Sequence, residues 1–377
     1  MKILISAGEA SGDRYAAGLV RALRARLPQA SFFGCGGPCL REAGVEAVVR
    51  SEELAVVGLF EVLRHIPRIH GLYRRLDATA REVRPDLAIL TDAPDFHLRL
   101  AARLRRIGVP VVYYVAPQVW AWRSWRIRQI RRLIDQLLVI FPFEKEYFRE
   151  RGVDAEFVGH PLRDLVRIET PREVFFQQHA LDATEPLVAL LPGSRKGEAI
   201  RHFPALQDAV ARMAAEGVRQ FVLPVAPTTG REFVARHWQG PPVRFLENQT
   251  ADGLGHADVA LVASGTATIE TAILGTPMVT FYKLAWPSYQ LARHLVDVPF
   301  YSMVNILAGK PIIPEFMQQD CTGAKLAAEA LRLVRMETAR CRMTQQLVQV
   351  REMLCTQVPA SERAAEAICD RFGLPAR

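Results

Sequence analysis

A chain of 377 residues, half of them hydrophobic and 23% charged, is too long for one ordinary core and too apolar for a disordered polymer. Its six cysteines, Cys35, Cys39, Cys321, Cys341, Cys355 and Cys369, lack CxxC or Cys/His ligand spacing, which argues against a disulfide frame or zinc site and fits reduced thiols in a cytoplasm. The net charge of +8 points to an anionic partner without choosing among nucleic acid, phosphorylated small molecules and an acidic membrane.

The opening MKILIS enters a strand at once, leaving no room for a signal peptide, so export is not expected. KILIS, SFFG, DLAILT, VVYYV and QLLVIF follow as short apolar, β-branched runs, separated by helical stretches such as residues 15–27 and 96–107. That alternation predicts a parallel, helix-covered sheet. Beyond FVGHPLRD, a polar passage through Pro171 and Pro186 reads as a connection, and the pattern restarts with LVALLPGS, QFVLPV, VRFLE, DVALVAS and MVTFY. The last stretch, about 324–372, reads as helical. The expected fold is α/β, with two Rossmann-like doubly wound domains facing a cleft and ligands at the carboxyl ends of both sets of strands. The domains are placed at 1–170 and 171–345, with the helices of 346–377 packing back on the first.

Phosphate chemistry is clearest in the second half. LLPGSRKGEAI reads as strand, Gly turn and helix start, where Gly193 and Ser194 free backbone N–H groups for an anion and Arg195 adds a guanidinium fork. An ordinary strand-to-helix turn with a surface arginine gives the same pattern, but a second copy tips the balance. In VASGTATIETAILGTP a strand leads to Ser264, Gly265 and Thr266 at a helix start. Glu270 follows one turn in, where a carboxylate can accept two hydrogen bonds from a ribose diol. Together the two elements describe a nucleotide-diphosphate site.

In the first half, AGEASGD also reads as strand, turn and helix, with Ser11 as N-cap. Glu9 and Asp13 would repel a diphosphate there, which assigns Glu9 and Ser11 to the acceptor side or to cleft architecture. Residues 54–76 place Leu59, Val62, Leu63, Ile66, Ile69, Tyr73 and Leu76 at helical spacing, with Arg64, Arg68 and Arg75 on another face and Pro67 expected to break or bend the helix. The segment is too interrupted to span a bilayer. Lying in the interface it would guide acyl chains, with Val57, Leu59, Phe60, Leu63, Arg64 and Arg68 as membrane contacts; packing on its own core is the alternative. VWAWRSWRIRQIRRL, residues 119–133, adds three tryptophans and five arginines that suit phospholipid headgroups, a solvated helix or single-stranded nucleic acid.

Two carboxylates stand at the tip of the strand PDLAIL. Asp95 precedes FHLRLAARLRR, where it can cap the helix. Asp92 has no capping role. It ends a central strand, where α/β folds place ligand groups, and Pro94 fixes the turn that aims it.

The combination of AGEASGD (7–13), DAPDF (92–96), VWAW (119–122), FPFEK (141–145), GHP (159–161), LPGSR (191–195), ASGTAT (263–268), NILAG (305–309) and PEFMQ (314–318) resembles the lipid-A-disaccharide synthase family, in order over nearly the whole chain. Two places depart from the family's pattern: APQVWAW stands where SPSVWAW is usual, and Val304 precedes Asn305 where proline is usual. The resemblance implies a two-Rossmann glycosyltransferase of the GT-B type. It would join UDP-2,3-diacylglucosamine to 2,3-diacylglucosamine 1-phosphate, releasing UDP and the β-1,6-linked disaccharide 1-phosphate, with inversion and without metal or cofactor. It places the base on Asp92 and the donor site on Arg195, Ser264, Gly265, Thr266, Glu270, Asn305, Glu315 and Gln318, to which the turn adds Ser194. It further implies a cytoplasmic enzyme, peripheral on the inner face of the inner membrane and bound to its anionic surface, with no nucleic-acid partner; a homodimer is compatible. Two rivals remain: another UDP-sugar enzyme on the same scaffold, such as a UDP-N-acetylglucosamine 2-epimerase, and a basic nucleic-acid-binding module.

Overall fold

The computed structural model describes residues 1–53, 59–286, 289–290 and 298–374, and for residues 59–68 the backbone alone. The chain divides into two compact units, one built from Met1–Asp164 and Leu354–Arg377, the other from Leu165–His294 and Val298–Met353.

In the first unit β1 (Lys2–Ala7), β2 (Ser31–Gly36), β3 (Glu46–Arg50), β4 (Leu87–Thr91), β5 (Val111–Tyr114), β6 (Gln136–Val139) and β7 (Ala155–Phe157) make one sheet in the order β3-β2-β1-β4-β5-β6-β7. Every pairing in it is parallel. Between them run α1 (Ala10–Arg26), α2 (Pro38–Glu42), α3 (Leu59–Val83), α4 (Pro94–Arg106), α5 (Ile127–Leu133) and α6 (Pro142–Arg149). Helices on both faces explain the unbroken apolar strands: Ile3, Leu4, Ile5, Ile89, Leu90 and Val112 are all fully buried. Each such side chain contributes about 1.5–3 kcal/mol. The C-terminal helix Ala360–Phe372 packs on α1, burying Ala364, Ala365 and Ile368. The returning chain is fastened where the His160 N–H donates to the Leu354 carbonyl at 3.0 Å.

The second unit repeats the plan. Strands β8 (Leu187–Leu191), β9 (Gln220–Val225), β10 (Arg244–Glu247), β11 (Val259–Ala263), β12 (Met278–Tyr282) and β13 (Glu315–Met317) form a parallel sheet in the order β10-β9-β8-β11-β12-β13.

In each sheet the strand order reverses once, between β1 and β4 and between β8 and β11. At such a reversal the outgoing loops diverge to opposite faces and leave room beyond the strand ends. Gly8 and Glu9 follow β1 and Asp92 follows β4; Gly193 to Arg195 follow β8 and Ser264 to Thr266 follow β11. The topology therefore delivers the chemistry-bearing motifs to these two points.

Sequence and structure differ in places. The sheets gain β3, β7 and β13, which periodicity does not reveal: β7 and β13 have three residues each, and β3 is partly solvated. Pro67 does not end its helix, since α3 continues from Leu59 to Val83. A proline costs an interior turn about 3 kcal/mol, and burial of Leu72, Leu76 and Ala80 further along α3 outweighs that loss. Of the membrane contacts expected from the sequence, Val57 lies outside the described residues, as do the side chains of Leu59, Phe60, Leu63, Arg64 and Arg68. Among the described residues no helix is long and apolar enough to cross a membrane.

Candidate active site

Asp92 sits at the reversal point of the first sheet, immediately after β4. Its backbone is left-handed, with φ 58°, and so is that of Ala93, with φ 37°. Two consecutive non-glycine residues in that region are strained by roughly 1–3 kcal/mol each, so surrounding bonds must hold them. The Nδ1–H of His97 donates to the Asp92 carbonyl at 2.8 Å, and the Tyr113 hydroxyl donates to the same oxygen. A carbonyl can only accept, which places the imidazole proton on Nδ1; Nε2 then accepts from the Ser6 hydroxyl at 2.7 Å. Burial pushes the His97 pKa down to about 4, so the ring is neutral near pH 7.

With its main chain pinned, the Asp92 carboxylate reaches across to β1, where Oδ1 accepts from the Gly8 N–H at 2.8 Å and Oδ2 from the Glu9 N–H at 3.1 Å. Glycine is required at the contact, because a Cβ on Gly12 would stand 1.6 Å from Asp92 Oδ2. The carboxylate thus rests on the N-terminus of α1. Burial, and next the charge of Glu9, push the Asp92 pKa well above the usual carboxylate range; the Gly8 and Glu9 N–H groups oppose them. The side chain is half-buried. A solvent-reachable carboxyl with a raised pKa suits a general base.

The neighbouring acids serve the architecture. The N-cap of α1 is Glu9, not Ser11, which lies inside the helix, half-buried. Asp13 is buried and accepts from the N–H groups of Gly37, Cys39 and Leu40 at 2.6, 2.9 and 3.3 Å, so it caps α2. Asp95 does not cap α4: the N-cap is Ala93, with no side-chain cap bond. Two guanidinium groups take the Asp95 carboxylate instead, Arg123 at 3.0 Å and Arg126. The VWAW and FPFEK motifs hold one another, since Trp120 Nε1–H donates to the buried Glu144 at 3.0 Å and Glu144 also caps α6 through the Phe141 N–H. Burial pushes the Glu144 pKa up to about 7.

In the second unit Gly193, with φ 108°, makes the turn after β8, and Arg195 is the N-cap of the helix Lys196–Ala215. Ser194 and Arg195 are exposed. The Arg195 guanidinium is oriented by Glu198 at 2.9 Å, which also accepts from the Tyr282 hydroxyl at 2.7 Å. His202 repeats the arrangement around His97: its Nδ1–H donates to the Pro192 carbonyl at 2.7 Å and its Nε2 accepts from the Lys283 N–H at 2.9 Å. After β11, Gly265 is the N-cap of the helix Thr266–Leu274, with φ 152°. A Cβ built on it would meet nothing within 4 Å, so the turn faces open space. Ser264 bonds the Tyr301 carbonyl at 3.3 Å, Thr266 is exposed, and Glu270 lies half-buried one turn along. Exposed N–H groups at two helix starts plus a guanidinium form a positive surface suited to phosphate.

The other residues expected at the donor site support loops. Asn305 is fully buried; its amide donates to the Ile313 carbonyl at 2.9 Å and to Glu315 at 2.8 Å, and its oxygen accepts from Ile312 and Ile313 at 2.8 and 3.0 Å. Glu315 in turn accepts from the N–H groups of Tyr301 and Ser302, both at 2.9 Å. Gln318 accepts from the Leu284 N–H at 2.5 Å. Sequence reasoning missed Ser6, His97, Tyr113, Glu198 and His202. The available signal for His97 was its place on the apolar stripe with Leu100, Ala101 and Leu104. Among the described residues no group of three or more His, Cys, Asp or Glu is arranged to hold a metal ion.

A family model described as lipid-A-disaccharide synthetase matches residues 3–369. A lipid-A-disaccharide synthase of Solibacter usitatus is 55% identical over 367 residues, covering 97% of this chain and 96% of the relative. Among solved structures, a kitacinnamycin glycotransferase aligns with TM-score 0.65 at 16% identity over 98% of each chain. A Neisseria meningitidis UDP-GlcNAc 2-epimerase bound to UDP-GlcNAc gives 0.65 at 11% over 99% of each. At those identities the likeness is one of fold, that of two parallel-sheet α/β domains with GT-B glycosyltransferases as structural neighbours.

Proposed function

Because the chain belongs to the lipid-A-disaccharide synthetase family, we propose that it transfers the diacylglucosamine of UDP-2,3-diacylglucosamine to 2,3-diacylglucosamine 1-phosphate, with inversion. The relatives do not favour an epimerase or a nucleic-acid module. In the transfer the acceptor's 6-hydroxyl oxygen attacks the anomeric carbon from the face opposite UDP. Its proton passes to the Asp92 carboxylate as the new C–O bond forms. The bond from the anomeric carbon to the diphosphate breaks, and the electron pair leaves on UDP.

The carboxylate of Asp92 carries this reading. It is half-buried at the sheet reversal, fixed through its own main chain, and its raised pKa brings its basicity nearer the working pH. For the departing diphosphate, Arg195 and the starts of the helices after β8 and β11 supply positive potential, and so are proposed to act without a divalent ion. Glu270 would bind the ribose. Asn305, Glu315 and Gln318 would act indirectly, by holding the Tyr301–Ser302 and Leu284 main chain. The acyl chains of both substrates would bring the reaction to a membrane surface, proposed to be the inner face of the inner membrane, where α3 would make contact.

The test is incubation of purified protein with both detergent-dispersed lipids and measurement of UDP. Release that depends on the acylated acceptor is expected. No release from folded protein would overturn the proposal.

A further inference from the structure

We propose that the first unit carries a second docking face for an anionic membrane, formed by the arginine stripes of α4 and α5 together with Trp122 and Trp125. Arg99, Arg103 and Arg106 recur at helical spacing on α4 in line with Asp95, and Arg128, Arg131 and Arg132 recur on α5; all six arginines are exposed. The two helices pack against each other. They are also tied at both ends, by Asp95 with Arg123 and Arg126 at one and by Arg105 with Asp135 at the other. The stripes therefore run side by side.

Asp95 and Asp135, the acids at the two ends of the pair, are already bonded to arginines. The six stripe arginines have no acidic partner among the described residues, and so much uncompensated charge calls for an anionic surface. At the edge of the patch Trp122 and Trp125 are 41% and 59% exposed. Indoles settle at headgroup level in a membrane interface, and arginines beside them engage lipid phosphates. Nucleic acid fits less well. The Arg123 guanidinium covers one face of Trp122 at 4.2 Å and Arg126 one face of Trp125 at 5.5 Å, so neither indole can sandwich a base.

This face is distinct from the α3 segment, and it rests on the transferase reading only in taking a membrane as the anionic partner. The full chain is sedimented with vesicles of phosphatidylcholine alone or mixed with phosphatidylglycerol. The chain is expected to sediment with the mixed vesicles, and less so as salt rises. Arg128→Gln/Arg131→Gln/Arg132→Gln should lower the partition about fivefold per arginine, on the order of 100-fold in all. Trp122→Ser/Trp125→Ser should lower it also on salt-independent grounds. If the triple variant does not fold, Arg99→Gln/Arg103→Gln reads the same loss from α4. The inference is overturned if wild-type protein fails to sediment with anionic vesicles, if the folded variants sediment like wild type, or if a single-stranded oligonucleotide binds more tightly than the vesicles. Those outcomes leave UDP release from detergent-dispersed lipids intact, whereas failure of the transferase reading removes UDP release and leaves sedimentation unchanged.

Discussion

His97 holds Asp92 by its main chain: the imidazole Nδ1–H donates to the Asp92 carbonyl at 2.8 Å, while the carboxylate beyond it accepts from the N–H groups of Gly8 and Glu9. The ring fixes the position of the proposed base without competing for its proton. His97→Ala should therefore lower kcat about 100-fold through misplacement of the carboxylate, with a much smaller change in donor KM. Equal losses in kcat and in donor binding would mean that the unit had simply become disordered.

Asp92→Asn should lower kcat by about 10²- to 10⁴-fold, the usual worth of a general base, with UDP binding retained. Asp95→Asn weakens an exposed ion pair with Arg123 and the partner bond of the buried Arg126, and should cost about 1.5–3 kcal/mol of stability while sparing kcat. Steady-state rates and denaturant titrations read both. Full turnover in Asp92→Asn alongside an inactive, folded Asp95→Asn would show the base to be the other carboxylate.

Acid should act on rate and on stability separately. In the proposed role of base Asp92 must be ionised, and its pKa is raised, so kcat/KM should climb with pH through a range above that of an ordinary aspartate. His97 is depressed from 6.5 to about 4 by burial. At His97 the unfolded chain then binds more protons than the folded one between those values, so the stability linked to this ring is full above pH 6.5 and is lost as pH drops towards 4, while the raised carboxyls of Asp92 and Glu144 act in the opposite sense. Urea titrations of wild type and His97→Gln across that window should show the stability difference between them shrink as pH falls from 6.5 towards 4; a difference that does not change with pH would refute the assignment to His97.

Turnover should survive EDTA, because charge on the leaving diphosphate is assigned to Arg195 and two helix starts. Arg195→Ala should lower kcat/KM by roughly 10²-fold, a value typical for loss of one oriented donor to a developing charge. A loss in EDTA reversed only by magnesium or manganese would refute the assignment.

Asn305→Ala should destabilise the second unit by about 1–3 kcal/mol for each buried group left unpaired. The chief kinetic effect should be a raised donor KM as the Tyr301–Ser302 turn loosens. Denaturant unfolding identical to wild type would mean that the amide does not hold this loop.

Local pattern along the chain specifies several features. Apolar runs alternating with helical spacing specify parallel sheets, because a strand covered on both faces has no polar side to show. Gly193 and Gly265 mark turns whose positive φ other residues avoid, and both turns fall where the strand order reverses. Asp92 was legible for the same reason, as a charge at the end of a buried run. Bonds between residues far apart in the chain come from packing and leave no local pattern. Ser6 meets His97 across 91 positions, and Arg126 reaches Asp95 across 31, taking it away from the helix cap that local pattern suggests. Asn305 and Glu315 carry groups that could equally contact a ligand or a backbone; packing buries Asn305 and gives both of them loop main chain to bond. Strands of three residues such as β7 and β13 have no period to detect and exist because a neighbouring strand offers its free edge. A polar side chain's role depends on which partner desolvates it, and that partner is chosen by the packing of the whole unit.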